Sequence, residues 1–214
     1  MKTDKKIEHY ILSHIADEDP LLNRLYRETF IKTVNGQMCC DHLQGTILTL
    51  ISKLVNPFRI LEIGTFTGYS ALCLVKGLSE NGLLHTIEIN EELKAFAAAY
   101  FAESGTNEKI IQHIGDARKI IPSLNETFDL VYLDADKRQY VSHYNLFFPK
   151  VRIGGIIIAD NILWGGKVVE QVTQSDEQTK GIIQFNDFVR DDQRVETFMI
   201  PVRDGLTVLR KIAD

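Results

Sequence analysis

The sequence predicts an α/β fold, with a mostly parallel seven-stranded sheet, crossover helices, an antiparallel C-terminal hairpin and a set of N-terminal helices. Three observations predict it. Residues 1–56 carry apolar positions at helical spacing. After Pro57 short apolar runs alternate with helical patterns, the signature of a parallel sheet with crossover helices. Near the C-terminus the runs FMIPV and LTVLR are joined through Arg203-Asp204-Gly205, and an Asp-Gly step is a hairpin signal.

Within the N-terminal stretch, residues 5–15 have apolar positions three to four apart, Asp19-Pro20 supplies the cap and first turn of a second helix, and Asp41 caps a third that runs to Val55. The expected parallel strands are 58–63, 83–89, 109–114, 128–133 and 153–159. The helices between them are 69–79, 91–104 with Asn90 as cap, 117–123 and 138–149, and a further helix near 177–190 precedes the hairpin. The 5 prolines and 14 glycines are scattered as punctuation rather than gathered in a linker. Residues 1–214 are therefore expected to form one domain, with 1–56 as a helical lead-in and lid and 57–214 as the α/β core.

Composition excludes several classes. At 44% hydrophobic and 25% charged residues the 214-residue chain can bury a sizeable core, and disorder, collagen and disulfide-scaffold readings fall away. A net charge of -5 leaves no electrostatic footprint for non-specific nucleic-acid binding. The N-terminal MKTDKKIEHYILSH lacks the sustained apolar stretch of a signal peptide, and no segment approaches the ~18 apolar residues of a membrane span, so a cytoplasmic location is expected. The three cysteines, Cys39, Cys40 and Cys73, have neither disulfide-framework nor zinc spacing and read as small buried hydrophobes.

In parallel α/β sheets ligands bind outside the carboxyl ends of the strands, where strand order reverses. Those ends read Glu62-Ile63-Gly64, Glu88, Gly115-Asp116-Ala117, Asp134-Ala135-Asp136-Lys137 and Asp160-Asn161. One aspartate there is as readily a helix cap, but five acidic ends along one edge point to a site. Gly64-Thr65-Phe66-Thr67-Gly68-Tyr69-Ser70 is a glycine-bearing turn that lets backbone approach a ligand. It has neither the Lys-Ser/Thr of a P-loop nor the G-x-G-x-x-G spacing for pyrophosphate, which disfavours a nicotinamide-dependent oxidoreductase. Glu88 lies where an acidic residue accepts from ribose hydroxyls, and Asp116 where one can accept from an exocyclic amine. An adenosine ligand without phosphates fits these groups. Asp134, Asp160 and Asn161 offer two carboxylates and an amide oxygen, donors suited to a hard divalent cation such as Mg2+, although Asp160-Asn161 also reads as an ordinary Asx turn. His85 and His113 sit in strand patterns and read as core or face residues. The G-x-S-x-G elbow and H-E-x-x-H are absent.

With LEIGTFTGYS, IEI, IGDA, LDADK and IADNILWGG in this order, the sequence resembles the cation-dependent O-methyltransferases that include the caffeoyl-CoA and catechol enzymes, from about Met38 to the C-terminal hairpin. The resemblance implies a Rossmann-like class I methyltransferase fold, S-adenosylmethionine as donor, and a Mg2+-type cation at Asp134, Asp160 and Asn161. It places Glu62, Gly64, Thr65 and Ser70 in the first donor motif, Glu88 at the ribose, Ala117 near the adenine and Asp136 at a further donor contact. Met38 and Cys40 fall in the segment over the donor. Lys137, beside Asp134, resembles the family's general base, and Trp164 is either an aromatic wall for a flat phenolic acceptor or a core residue. Gly165 stands where the caffeoyl-CoA enzymes carry an asparagine, and the N-terminus offers no match to their CoA-contacting lysine, so the resemblance does not carry a CoA ester across.

The acceptor implied is a vicinal-diol aromatic, catechol-like or caffeoyl-like. Relatives that methylate 5-hydroxyuridine in tRNA supply an alternative, for which a basic face of Lys2, Lys5, Lys6, Arg24, Arg27 and Lys32 would be the mark. A non-catalytic donor-binding protein is a third reading. A homodimer through the N-terminal helices is the family expectation.

Overall fold

A computed structural model describes residues 5–214, with side chains from Lys6 onward. Its seven strands, β1 (Arg59–Ile63), β2 (Leu83–Glu88), β3 (Ile110–Ile114), β4 (Phe128–Leu133), β5 (Val151–Asp160), β6 (Val195–Ile200) and β7 (Leu206–Lys211), form one sheet in the order β3-β2-β1-β4-β5-β7-β6. The first five are parallel and β7 runs antiparallel to both neighbours, so the sheet is the Rossmann-like one expected. The chain walks outward from β1 through β2 to β3 and returns to β4, which puts the strand-order reversal between β1 and β4.

Local chemistry accounts for the helix starts. In α2 (Pro20–Lys32) the Asp19 side chain accepts from the Leu21 N–H and Pro20 occupies the first turn, where its missing donor costs nothing. In α3 (His42–Val55) Asp41 accepts from the Gln44 N–H, and Asn56 ends the helix in the left-handed region at φ 47°. Such a cap contributes about 1 kcal/mol. The helix expected over 69–79 is α4 (Tyr69–Leu74) followed by a 3-10 turn, and that over 91–104 is a 3-10 turn leading into α5 (Lys94–Glu103). α6 (Ala117–Ser123) has the expected bounds, α7 (Tyr140–Phe147) is shorter than expected, and α8 (Glu177–Asp191) begins at the Asp176 cap. β5 extends beyond both expected ends because it pairs with β4 across a register irregularity at the Gly154 bend. β6 lies earlier than FMIPV suggested, since Pro201 has no N–H for the ladder and the strand stops at Ile200.

Two apolar cores sandwich the sheet. One packs α6, α7 and α8 through Ile121, Tyr144, Phe147 and Phe185. The other packs α2 to α5 through Leu25, Leu48, Leu72 and Phe101. Leu25 and Leu48 are fully buried, each removing a side chain from water at roughly 1.5–3 kcal/mol, so α2 and α3 are part of the core layer. α1 (Lys5–Leu12) is the peripheral helix, with Ile7 and Tyr10 exposed. The three cysteines are buried free thiols, as read from their spacing, and burial pushes Cys39 up to about 11. His85 and His113 pair ring to ring across β2 and β3, Nδ1 to Nε2 at 3.0 Å. In the basic face considered for tRNA, Lys2 and the Lys5 side chain lie outside the described residues, while Arg24 and Lys32 form ion pairs with Glu103 and Glu28.

Two interior positions carry unusual demands. Gly64 leaves β1 at φ 105°, and a Cβ there would lie 1.9 Å from the Asp134 carbonyl oxygen, so no side chain fits. Glu62, fully buried in β1, accepts from Thr86 Oγ1 at 2.5 Å through one oxygen while the other has no partner among the described residues, and burial pushes its carboxyl up to about 8.

Gly64→Ala is expected to cost about 3 kcal/mol of folding stability through strain and backbone clash, read as a lowered urea midpoint. For Glu62, a folded pKa above the unfolded 4.5 means that the native state binds the extra proton between pH 4.5 and about 8, so stability drains away as pH rises through that window. Urea titrations should therefore find Glu62→Gln more stable than the parent above pH 8, by on the order of a few kcal/mol, with the gain fading towards pH 4.5.

Candidate active site

The carboxyl ends of β1 to β5 open into one cavity of about 880 Å3, within the usual size of a small-molecule site. Its floor is the strand-order reversal. Gly64 N–H donates to Ile87 O at 2.9 Å and Asp134 N–H to Ile63 O at 2.9 Å, so the turns after β1 and β4 stay hydrogen-bonded to the neighbouring strands.

At the β2 side, Glu88 is fixed through both oxygens: Oε2 accepts from the Phe66 N–H and Oε1 from the Asn90 N–H, each at 2.8 Å. Phe66 reaches this position by taking a left-handed φ of 48°, a strained conformation of the kind found at binding turns. Gly64, Glu88, Asp116, Ala117, Asp136 and Met38 all line the cavity. Glu62, Thr65, Ser70 and Cys40 do not. Glu62, Thr65 and Thr86 form a buried hydrogen-bonded chain behind the wall, and the Cys40 thiol turns to the Asp41 carbonyl.

Asp116 and Asp136 have the same local arrangement, each capping the turn that follows and gripping an arginine two residues on. The Asp116–Arg118 pair lies at 2.6 Å and holds the Asp116 carboxyl down at about 2, and the Arg138 guanidinium beside Asp136 lowers that carboxyl too. The Asp116 carboxylate expected to face an exocyclic amine is thus engaged by Arg118, because a guanidinium two residues away reaches it without tertiary help.

The β4 and β5 ends bring together Asp134, Lys137, Asp160, Asn161 and Trp164. Lys137 is buried at 5% exposure, and its Nζ donates to Asp134 Oδ1 and to Tyr140 Oη, both at 2.7 Å. Tyr140 Oη in turn donates to the Leu133 and Asp160 carbonyls at 3.1 Å. The Trp164 ring is 5.9 Å from Nζ, so this tryptophan forms cavity wall and also packs partly on the core. Asp160, 4% exposed, has its carboxyl pushed up to about 6, first by burial and then by the Asp134 charge. Asn161 adopts φ 57° directly after it. Among the described residues no cluster of three His, Cys, Asp or Glu is arranged for a metal; the oxygen set here is two carboxylates and an amide.

Four contributors were not evident from the sequence. Tyr132 reads as an ordinary residue of a buried strand, and Tyr140 as one helix aromatic among several. Arg203 reads only as part of a turn. Gln44 left a faint signal, a polar side chain four residues before Leu48 on the buried stripe of α3.

Comparison with known proteins places the chain in a family. The O-methyltransferase family model matches residues 12–212. Caffeoyl-CoA O-methyltransferase 1 of Eucalyptus globulus is 30% identical over 225 residues, covering 100% of this chain and 91% of its own length, and the Petroselinum crispum caffeoyl-CoA O-methyltransferase is 29% identical, covering 100% and 93%. Among solved structures, the O-methyltransferase TomG of Streptomyces achromogenes, crystallised with SAM, superposes with a TM-score of 0.88 at 28% identity, over 97% of this chain and 96% of that one. The chain therefore belongs to the O-methyltransferase family.

Proposed function

We propose that this protein transfers the methyl group of S-adenosylmethionine to one hydroxyl of a vicinal-diol aromatic, catechol-like or caffeoyl-like, with the help of a divalent cation such as Mg2+. The observation that carries the reading is the convergence of Asp134, Asp160, Asn161, Lys137 and Trp164 on the same cavity as Glu88.

The residues fit both groups. For the donor, Glu88 presents a carboxylate whose orientation two backbone N–H groups fix, the geometry suited to a ribose diol. The SAM in the TomG crystal, in a relative covering almost the whole chain, supports the same donor here. For the cation, Asp134, Asp160 and Asn161 would be the ligands, an all-oxygen set matched to a hard ion, and Lys137 Nζ already lies against Asp134. When bound, the donor supplies a sulfonium methyl and the cation supplies Lewis acidity that favours an ionised acceptor hydroxyl.

The rest is done by the chain. Lys137 Nζ, steadied by Tyr140, takes and holds the acceptor proton as general base. Trp164 offers a flat face that orients an aromatic ring, and Gly64 keeps the donor turn close to the Asp134 loop, so that donor and acceptor are held for in-line transfer. The ion pairs of Arg24 and Lys32 leave less basic surface for a polyanion, which favours a small acceptor over tRNA. The reading includes a homodimer through the N-terminal helices, in keeping with exposed Phe30 and Ile31 on α2 and Leu50 and Leu54 on α3, and a cytoplasmic location.

The test is transfer from labelled S-adenosylmethionine to 3,4-dihydroxybenzoate, with EDTA or Mg2+ and with bulk tRNA as competing acceptor. Methylation of the catechol is expected, abolished by EDTA and by Asp160→Ala. Lys137→Met should lower kcat by about 10²–10⁴ while donor binding persists. Labelling of tRNA alone, or transfer unaffected by EDTA, would overturn this assignment.

A further inference from the structure

Gln44 is 1% exposed on the core-facing side of α3, and both ends of its amide are spoken for. Arg203 Nη1 donates to Oε1 at 2.7 Å, and Arg203 is itself anchored by Asp41 Oδ2 at 3.0 Å from its Nε. With the carbonyl end so held, Nε2 must face the other way. There it donates to Tyr132 Oη at 3.1 Å and to Asp160 Oδ2. Tyr132 Oη donates to the same Oδ2 at 2.6 Å. Asp160 Oδ2 therefore takes two donors, whereas Oδ1 takes one, the Asn161 backbone N–H at 2.6 Å. A carboxylate oxygen has about two lone-pair sites, so the capacity left over lies on Oδ1.

Building on the cation site proposed above, we infer that Gln44, its amide oriented by Arg203, is a positioning residue that closes Asp160 Oδ2 and leaves Asp160 a one-oxygen ligand through Oδ1. The consequence is ion selectivity. Ca2+ readily takes bidentate carboxylates in flexible shells of six to eight oxygens, while Mg2+ demands a compact octahedron with few protein ligands. A site whose buried carboxylate can offer one oxygen only favours the smaller ion. Arg203 contributes without touching the cation: with a neutral apolar side chain in its place the amide can turn over and set its carbonyl against Asp160, which repels rather than donates. Arg203 holds φ 51° in the turn before β7 while Asp41 caps α3, so the relay also ties the C-terminal hairpin to the N-terminal helix.

The test is calorimetric titration of the metal-stripped full-length protein, and of its Gln44→Leu and Arg203→Met variants, with MgCl2 and CaCl2, each variant first checked by circular dichroism melting. Removing an outer partner of a ligand typically costs 10–100-fold in metal affinity. In Gln44→Leu, Mg2+ affinity is expected to fall about tenfold and Ca2+ affinity less, so that the Mg2+ to Ca2+ preference narrows; Arg203→Met should shift the preference the same way with Gln44 intact. A merely structural role would weaken both ions by one factor, and that result, or no change in either variant, would overturn the inference while leaving the cation site standing. A parent protein that binds neither ion would remove the cation site, and the inference with it. Should Gln44→Leu fail to fold, Arg203→Met decides the matter alone.

Discussion

At the carboxyl ends of β1 and β4 two main chains approach so closely that Gly64 has room for a hydrogen where any other residue would carry carbon. A Cβ would sit 1.9 Å from the Asp134 carbonyl oxygen. The contact exists because β1 and β4 are neighbours in space although β2 and β3 separate them in sequence, and it brings the turn leading to Phe66 against the loop of Asp134 and Lys137. In the sheet, the path from Glu88 on β2 to Asp160 on β5 crosses this β1–β4 junction. Small displacements here would separate two halves of a site whose chemistry requires alignment.

Around that junction the molecule concentrates polar groups in a dry setting. Asp160 and Lys137 are almost wholly buried, and Tyr132 and Tyr140, fully buried, have their hydroxyls raised well above the usual tyrosine value, first by burial and then by the neighbouring carboxylates. Buried polar groups persist when each finds a partner. Here Tyr132 and Gln44 converge on Asp160, and Tyr140 bridges Lys137 to two backbone carbonyls. Asp160 is nonetheless pushed up to about 6, because burial and the Asp134 charge outweigh Lys137 and the donors.

How much of this was legible follows from the range of each signal. Asp19-Pro20 and Asp41 announced their helices because capping is satisfied within three residues, and Arg203-Asp204-Gly205 announced a hairpin because turn geometry is local. The acidic strand ends were legible because a parallel sheet gathers its carboxyl ends on one edge whatever the strand order. Strand limits were less so: Pro201 ended β6 earlier than its apolar run suggested, and β5 was lengthened by its partner rather than by its own residues. Asp116 lines the cavity at its strand end, and its ion pair with Arg118, two residues on, is an equally local feature.

The sequence by itself determined the alternation of strands and helices, the antiparallel end of the sheet, and the residue types available at its edge, since periodicity, capping and turn chemistry are written into neighbouring residues. The tertiary structure alone decided which of these residues meet. It set Glu62, Thr65 and Ser70 behind the cavity wall and Glu88 on it, and it drew Gln44, Tyr132 and Arg203, from a helix, a strand and a turn far apart in the chain, onto the single carboxylate of Asp160. The physical reason is that hydrogen-bond geometry between distant segments depends on strand order and packing register, which no short window of sequence contains.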